Sequence, residues 1–345
     1  MIDSLRKDKE LWELFVRKEE LGSPPLDQFG RFMASSSSNR TVDDPRASIS
    51  LAKEGFRPEY PGGRKFAVCL THDIDTLNHP WEARTVARFR RSKGVRACVR
   101  GVNRLVNPVW NFHTIWSIEE SHGAKSTFFF MGLEPGDEDF NYFPDDLSDE
   151  MHDITGSGSE VGLHGGHRAY NDLAQLRKEK DALERASGRK AVGYRSHYLK
   201  LQVPGTWHLL GQAGFAYDST LGYADAIGFR NGMCHPHRPI DPGTGKAVPV
   251  LEIPLAVMDD SLFKYMRLDT TAALNAVLRL AGTVEACGGV LTVLWHNTYF
   301  RNKPTRDLYA KLLEHCASRN AWLTSGEELC RWWDRNDFLG QGAVA

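Results

Sequence analysis

From Phe66 onward the chain repeats one pattern: a short apolar run, one or more polar residues, then a longer amphipathic stretch. Short β-branched and aromatic runs alternating with helix-length segments mark βα units, whose strands pair in parallel. The runs are FAVCLT from Phe66, STFFFM from Ser126, EVGLH from Glu160, AVGYR from Ala191, VLEIPLAV from Val250, VLTVLWH from Val290 and, more weakly, WLTS from Trp322. Helices are expected over residues 171–187, from an Asn/Asp cap to Gly188, and over 269–287, from an Asp/Thr cap to Gly288. About seven strands over roughly 270 residues suit a closed or nearly closed barrel better than an open sheet. The expected fold class is therefore α/β, a distorted (β/α) barrel of about seven strands with an N-terminal helical extension. No fixed-period repeat is present.

The ends of the chain differ from this rhythm. Leu5, Leu11, Leu14, Phe15 and Leu21 form an apolar helical stripe that Gly22, Ser23, Pro24 and Pro25 stop. Polar loops follow around Ser35 to Ser38 and at PEYPGGRK. The expected division is an extension over 1–60, the barrel over 61–335 and a flexible tail over 336–345. With 345 residues, 41% hydrophobic and 25% charged, the chain has material for one large core. A net charge of −1 gives no bulk attraction for nucleic acid. Six scattered cysteines with no C-x-x-C pair read as reduced, buried thiols rather than a zinc ribbon or disulfide framework. The charged N-terminus lacks an apolar leader and no run approaches about 18 apolar residues, so a cytoplasmic protein without a spanning helix is expected.

Polar residues fall just past the apolar runs: His72, Asp73 and Asp75 after the first, His164 and His167 after the third, Arg195 and His197 after the fourth, His296 after the sixth. In a barrel those strand ends surround one mouth. In THDID, two carboxylates at i and i+2 of an extended segment point the same way. One can bind a cation while the other accepts a proton from water. Taken alone, such a pair is as well explained by an Asp-rich turn. In EVGLHGGH, two imidazoles flank two glycines, and with a carboxylate they make an open three-ligand site suited to zinc. A histidine pair at this spacing also arises by chance among 13 histidines. In VLTVLWHN, His296 ends a strand with its ring at the mouth, where a general acid would stand; a hydrogen-bonded core histidine is the plainer alternative.

These motifs, in this order, resemble the polysaccharide deacetylase (NodB homology) family, carbohydrate esterase family 4, over roughly residues 66–333. THDID is similar to the family's first motif, with one residue between its aspartates; by resemblance Asp73 is the catalytic base and Asp75 a metal ligand. KSTFFFMG is similar to the family's A-T-F-F strand and EVGLHGGH to its second motif. GYRSHYL resembles the third, assigning to Arg195 the support of the catalytic Asp, and LTVLWHN the fifth, making His296 the general acid. The resemblance implies hydrolysis of a linear amide C–N bond, removal of an N-acetyl group from an acetamido sugar or glycan precursor, by a water activated on a divalent metal, Zn2+ first. The second motif departs from H-x-x-x-H because Arg168 stands four after His164. His167 is the first choice for the third ligand, with His197 and His235 in reserve and a water as a further occupant of the place. In the region of the fourth motif, Asp218 is the candidate partner for the acid histidine. Tyr198, Trp295 and Tyr299 are candidates for a sugar-facing wall on aromatic character. The alternatives are an allantoinase-like cyclic-amide hydrolase and a catalytically silent carbohydrate-binding barrel.

Residues 84–105, RTVARFRRSKGVRACVRGVNRL, crowd Arg84, Arg88, Arg90, Arg91, Lys93, Arg96, Arg100 and Arg104 among Val86, Phe89, Val95, Val99, Val102 and Leu105. The segment reads either as a surface helix with solvated cations or as a basic amphipathic segment on an anionic membrane or phosphates. The second alternative would bring the mouth to a lipid-linked or nucleotide-linked sugar, the substrates a peripheral cytoplasmic enzyme reaches.

Overall fold

The computed structural model describes residues 2–89, 91–336 and 338–339. Nine strands form one parallel sheet: β1 (Phe66–Ile74), β2 (Thr127–Met131), β3 (Glu160–Gly165), β4 (Gly193–Ser196), β5 (Tyr217–Asp218), β6 (Leu251–Glu252), β7 (Leu255–Met258), β8 (Val290–Leu294) and β9 (Ala321–Thr324). Eight lie along the path β6-β5-β4-β3-β2-β1-β8-β7, and β9 pairs with the lower half of β1. The two ends of that path are consecutive in the chain, since only Ile253 and Pro254 separate β6 from β7. The run expected as one strand, VLEIPLAV, thus serves both edges, and Pro254, which has no N–H to donate, marks the change of partner. The sheet is a curled, distorted barrel with one more strand on its path than expected.

Strand alternation sorts the side chains. Phe66, Val68 and Leu70 face the surrounding helices with Ile115, Leu312 and Leu313, whereas Ala67 and Cys69 point inward with Phe129, Tyr217 and Leu251. The two long helices form where expected. Leu173–Ser187 is capped by Asp172, which accepts from Ala174 N and Gln175 N, and ends at Gly188 (φ 68°). Thr270–Cys287 starts on Asp269 and ends at Gly288 (φ 67°). Both glycines occupy the left-handed conformation that closes a helix.

The N-terminal extension is not one helix. A 3-10 turn (Ile2–Lys7), a helix (Lys9–Phe15) and a second turn (Lys18–Glu20) are broken at Arg17, whose backbone is left-handed (φ 57°). Ile2, Leu5, Leu11 and Phe15 cover the bottom of the barrel beside Met233 and Val290. Arg17, Glu20 and Arg230 form a buried charge network that ties the extension down. Of the C-terminal stretch expected as a tail, residues 337 and 340–345 lie outside the described residues; Leu339 is buried in the same lower core.

The basic segment forms two helices, Pro80–Arg88 and Lys93–Val106, and Arg90 lies outside the described residues. In the second helix three of the cations have carboxylate partners. Arg96 is buried against Asp146, while the half-buried Arg100 and the exposed Arg104 pair with Asp149 and Glu150, so all three are engaged by carboxylates of the domain.

Candidate metal centre

In β1 the period of two puts Thr71, Asp73 and, just past the strand, Asp75 on the interior side, while His72 turns outward to Glu119 Oε1 at 2.8 Å. The same alternation brings His164 inward from β3, and the turn after β4 presents His197. Around the mouth the backbone is unusual: Asp139 (φ 63°), Tyr198 (59°) and Leu199 (55°) are all left-handed without being glycine. Such conformations persist only where surrounding contacts over-determine them.

Asp75, His164 and His197 bring their ligand atoms within 4.8 Å of one another. His164 Nε2 lies 3.0 Å from Asp75 Oδ1 and 3.1 Å from His197 Nδ1. Proton bookkeeping then decides what the cluster is. His164 Nδ1 faces the carbonyl oxygen of Arg195 at 3.1 Å, and His197 Nε2 faces Asp139 Oδ2 at 3.1 Å. Those oxygens can only accept, so each imidazole carries its proton on the outer nitrogen and turns a lone pair toward the cluster. Asp75 Oδ1 is buried and makes no hydrogen bond despite its close contact with His164. Three acceptors converge with no proton between them, which is the donor set of a divalent cation, with outer partners orienting each histidine. Burial works to raise the Asp75 carboxyl, but its surroundings at His164, His197 and His296 override burial and favour the carboxylate, holding the group below the usual range. The hydrogen bond from His197, against some burial and helped by His167, brings Asp139 down to about 2, so it stands ready as the anionic partner.

Two further groups flank the cluster. Asp73 places Oδ2 3.7 Å from His164 Nε2, while its Oδ1 is buried without a hydrogen-bond partner. His296 donates from its backbone N–H (2.5 Å) and from Nδ1 (2.6 Å) to the fully buried Asp259, leaving Nε2 3.6 Å from Asp75 Oδ2. Burial works against the imidazolium, but Asp259 outweighs it and holds His296 well above its ordinary value. Asp73, Asp75, His164, His197 and His296 line a cavity of about 60 Å³, enough for an ion and a few waters. A groove of about 560 Å³, lined by Asp75 and His197 as well as Arg84, Tyr198 and Lys264, opens beside it.

Asp73, Asp75, His164 and His296 therefore meet as their strand-end positions imply. His167 does not join them. It hydrogen-bonds Asp139 at 2.6 Å, approaches Lys200 and forms a second candidate ligand group with Asp139 and His197, while the place beside Asp75 and His164 is taken by His197, one of the reserves. His235, the other reserve, lies in the lower core between Ser48 and the Gly288 carbonyl. Arg195 is buried, but its guanidinium bonds Thr71 and Ser219 rather than Asp73. Its carbonyl is what touches the site. Trp295 is fully buried against Phe263 and Tyr309, so it cannot face a sugar, and Tyr299 spends its hydroxyl on Asp260. Asp218 shares the Trp207 indole N–H with Glu252 inside the barrel, so the partner of the acid histidine is Asp259 instead. Tyr198 does line the groove, stacked on Phe29 of the extension at 5.2 Å.

Asp259 was legible in principle, because it follows the apolar run of β7 as the other site residues follow theirs. Asp139 and Phe29 carry no such signal: they sit on loops, and only the folded chain brings them to the mouth.

No family model matches the sequence, and no curated protein matches it. Among solved structures, a protein from Mycobacterium smegmatis assigned as a polysaccharide deacetylase aligns over 80% of this chain and 92% of its own, with TM-score 0.56 and 19% identity. Puue allantoinase aligns over 89% and 97%, with TM-score 0.56 and 16% identity. A protein from Pseudomonas aeruginosa PAO1, also assigned as a polysaccharide deacetylase, aligns over 81% and 94%, with TM-score 0.56 and 16% identity. The chain thus shares its fold with these three solved structures.

Proposed function

We propose that this protein is a metal-dependent hydrolase that removes an N-acetyl group from an acetamido sugar. The observation that carries the reading is the convergence of three proton-free acceptors, Asp75, His164 and His197, between an unpartnered carboxylate, Asp73, and a protonated imidazole, His296. A divalent cation held by those three ligands, zinc by their chemistry, would supply Lewis acidity toward the acetyl carbonyl and toward water. The chain's own groups divide the proton work. Asp73 Oδ1, buried and without a donor, accepts the proton of the attacking water. His296 carries its proton on Nε2, with Nδ1 fixed by Asp259, and delivers it to the departing amine nitrogen. Arg195 orients His164 through its carbonyl, and Asp139 orients His197, so both rings keep the ligating tautomer.

The adjoining groove has Tyr198 on one wall, Asp139 and the Asp260–Lys264 pair on others, and Arg84 as a cation without an ion-pair partner among the described residues, which could meet the anionic part of a nucleotide-linked or lipid-linked sugar. The test is metal quantification on the purified protein together with acetate release from free, nucleotide-linked and lipid-linked N-acetyl sugars. One bound divalent ion per chain and acetate from at least one sugar are expected; a metal-loaded protein that releases none removes the reading. Cyclic-amide hydrolysis is the second reading, because Puue allantoinase shares the fold over 89% of this chain. Opening of a cyclic ureide without acetate release would select it.

A further inference from the structure

The helix Lys93–Val106 is mounted the opposite way round from an ordinary surface helix. At 100° per residue, Arg96, Arg100 and Asn103 share one face, and Val95, Cys98, Val102, Leu105 and Val106 share the other. The polar face is the one turned to the protein. Arg96 is buried against Asp146 and the Phe143 ring, Arg100 donates to the Asp146 carbonyl, and Asn103 donates to Asn78 Oδ1 at 2.6 Å. The apolar face is turned to solvent, with Val102 53%, Leu105 86% and Val106 73% exposed and Cys98 exposed as well. The preceding helix and its end add Trp81 at 66% and Phe89 at 42%. Single exposed apolar residues need no explanation, but Val102, Leu105 and Val106 share one face of one helix, and exposed apolar residues so grouped mark a contact site.

We propose that this apolar face is a docking surface for an anionic lipid bilayer. The cations around it select that occupant. Arg84, Arg91 and Lys93 have no ion-pair partner among the described residues, and Arg88 reaches only the Phe89 ring. An apolar helix face with unpaired cations on the same helical pair matches acyl chains beneath anionic headgroups. A second copy of this chain would bring four cations against four. The same helical pair also lends Ala83, Arg84 and Ala87 to the wall of the groove, beside Asp75 and His197. Docking would therefore hold the groove mouth near the headgroup layer. The docking stands apart from the hydrolase reading, since vesicle binding reports it without any turnover.

The experiment is co-sedimentation of the full chain, at low and high salt, with vesicles of phosphatidylcholine alone or mixed with phosphatidylglycerol. Wild type is expected to bind the mixed vesicles, more weakly at high salt. Val102→Glu/Leu105→Glu is expected to bind at least ~tenfold more weakly, since two apolar side chains lose their burial. Both residues are exposed, and an unchanged melting temperature and unchanged turnover of a water-soluble substrate would confirm that the variant is intact. Arg91→Gln/Lys93→Gln, which leaves the apolar face whole, should lose the preference for anionic vesicles. Absence of wild-type binding at low salt, or equal binding by wild type and the Glu variant, overturns the proposal. So does a wild-type dimer in ultracentrifugation that Val102→Glu/Leu105→Glu dissociates while neither protein binds vesicles, because the face would then belong to a second copy.

Discussion

At the scale of single residues, the ligand set makes the sharpest demand. His197→Ala should abolish stoichiometric metal binding, whereas His167→Ala should keep it, because His167 faces Asp139 instead of the cluster. Metal content of the two purified variants decides this, and the opposite ranking would restore His167 as the ligand. Asp139→Asn keeps the shape of the side chain but no longer fixes the His197 tautomer through a charged acceptor. A loss of about 10- to 100-fold in metal affinity is expected, the range for removing a carboxylate behind a ligating histidine. Asp73→Asn should retain the metal and lose at least about a hundredfold in turnover, since the amide is a poor proton acceptor. Wild-type turnover in that variant would take Asp73 out of the reaction.

At the scale of elements, strand ends are held in place by close packing of small residues. A Cβ on Gly165 would stand 2.4 Å from the Tyr194 ring, and one on Gly166 2.6 Å from Leu133, so the two glycines between His164 and His167 are there for close approach. Gly165→Ala should cost about 1–3 kcal/mol, the usual range for overpacking a tight site. Thermal melting measures it, and an unchanged melting temperature would mean that β3 and β4 have slack to separate. The turn after β4 shows the same economy, since two successive left-handed residues follow His197 directly and aim its ring.

At the scale of the whole molecule, the barrel interior carries a charge problem of its own. Glu160 lies at the bottom of the barrel, accepting from Thr127, Tyr217 and the Glu327 N–H, yet burial outweighs these donors and raises it to about 7. The folded state thus keeps a proton that the unfolded chain, with a carboxyl near 4.5, has already released. Unfolding in that window releases a proton, so the stability contributed by this group is complete below about 4.5 and falls as pH rises to about 7. At about 1.4 kcal/mol per unit the loss is on the order of 3 kcal/mol. Chemical denaturation at pH 5 and pH 8 should show a smaller loss of stability at the higher pH for Glu160→Gln than for wild type, with the other buried carboxyls that burial raises, Glu252 among them, left in both proteins. An equal slope in both proteins would place the pH dependence elsewhere.

What the sequence by itself determined is local and periodic. A period of two through FAVCLTHDI sends Asp73 and Asp75 to one side, caps and glycines bound the two long helices, and apolar runs ending in His or Asp announce a mouth lined with polar groups. Tertiary structure alone decided which of several histidines stands beside Asp75 and His164, because His167 and His197 have equal claims by composition and differ only in where their loops lead. It also decided that Trp295 is core and that Asp259, not Asp218, holds the acid histidine, since both follow from which strands become neighbours. The helix Lys93–Val106 makes the same point most plainly. Its amphipathic pattern is fully legible in the sequence, but which face turns inward depended on Asp146, Asp149 and Glu150, about fifty residues farther along.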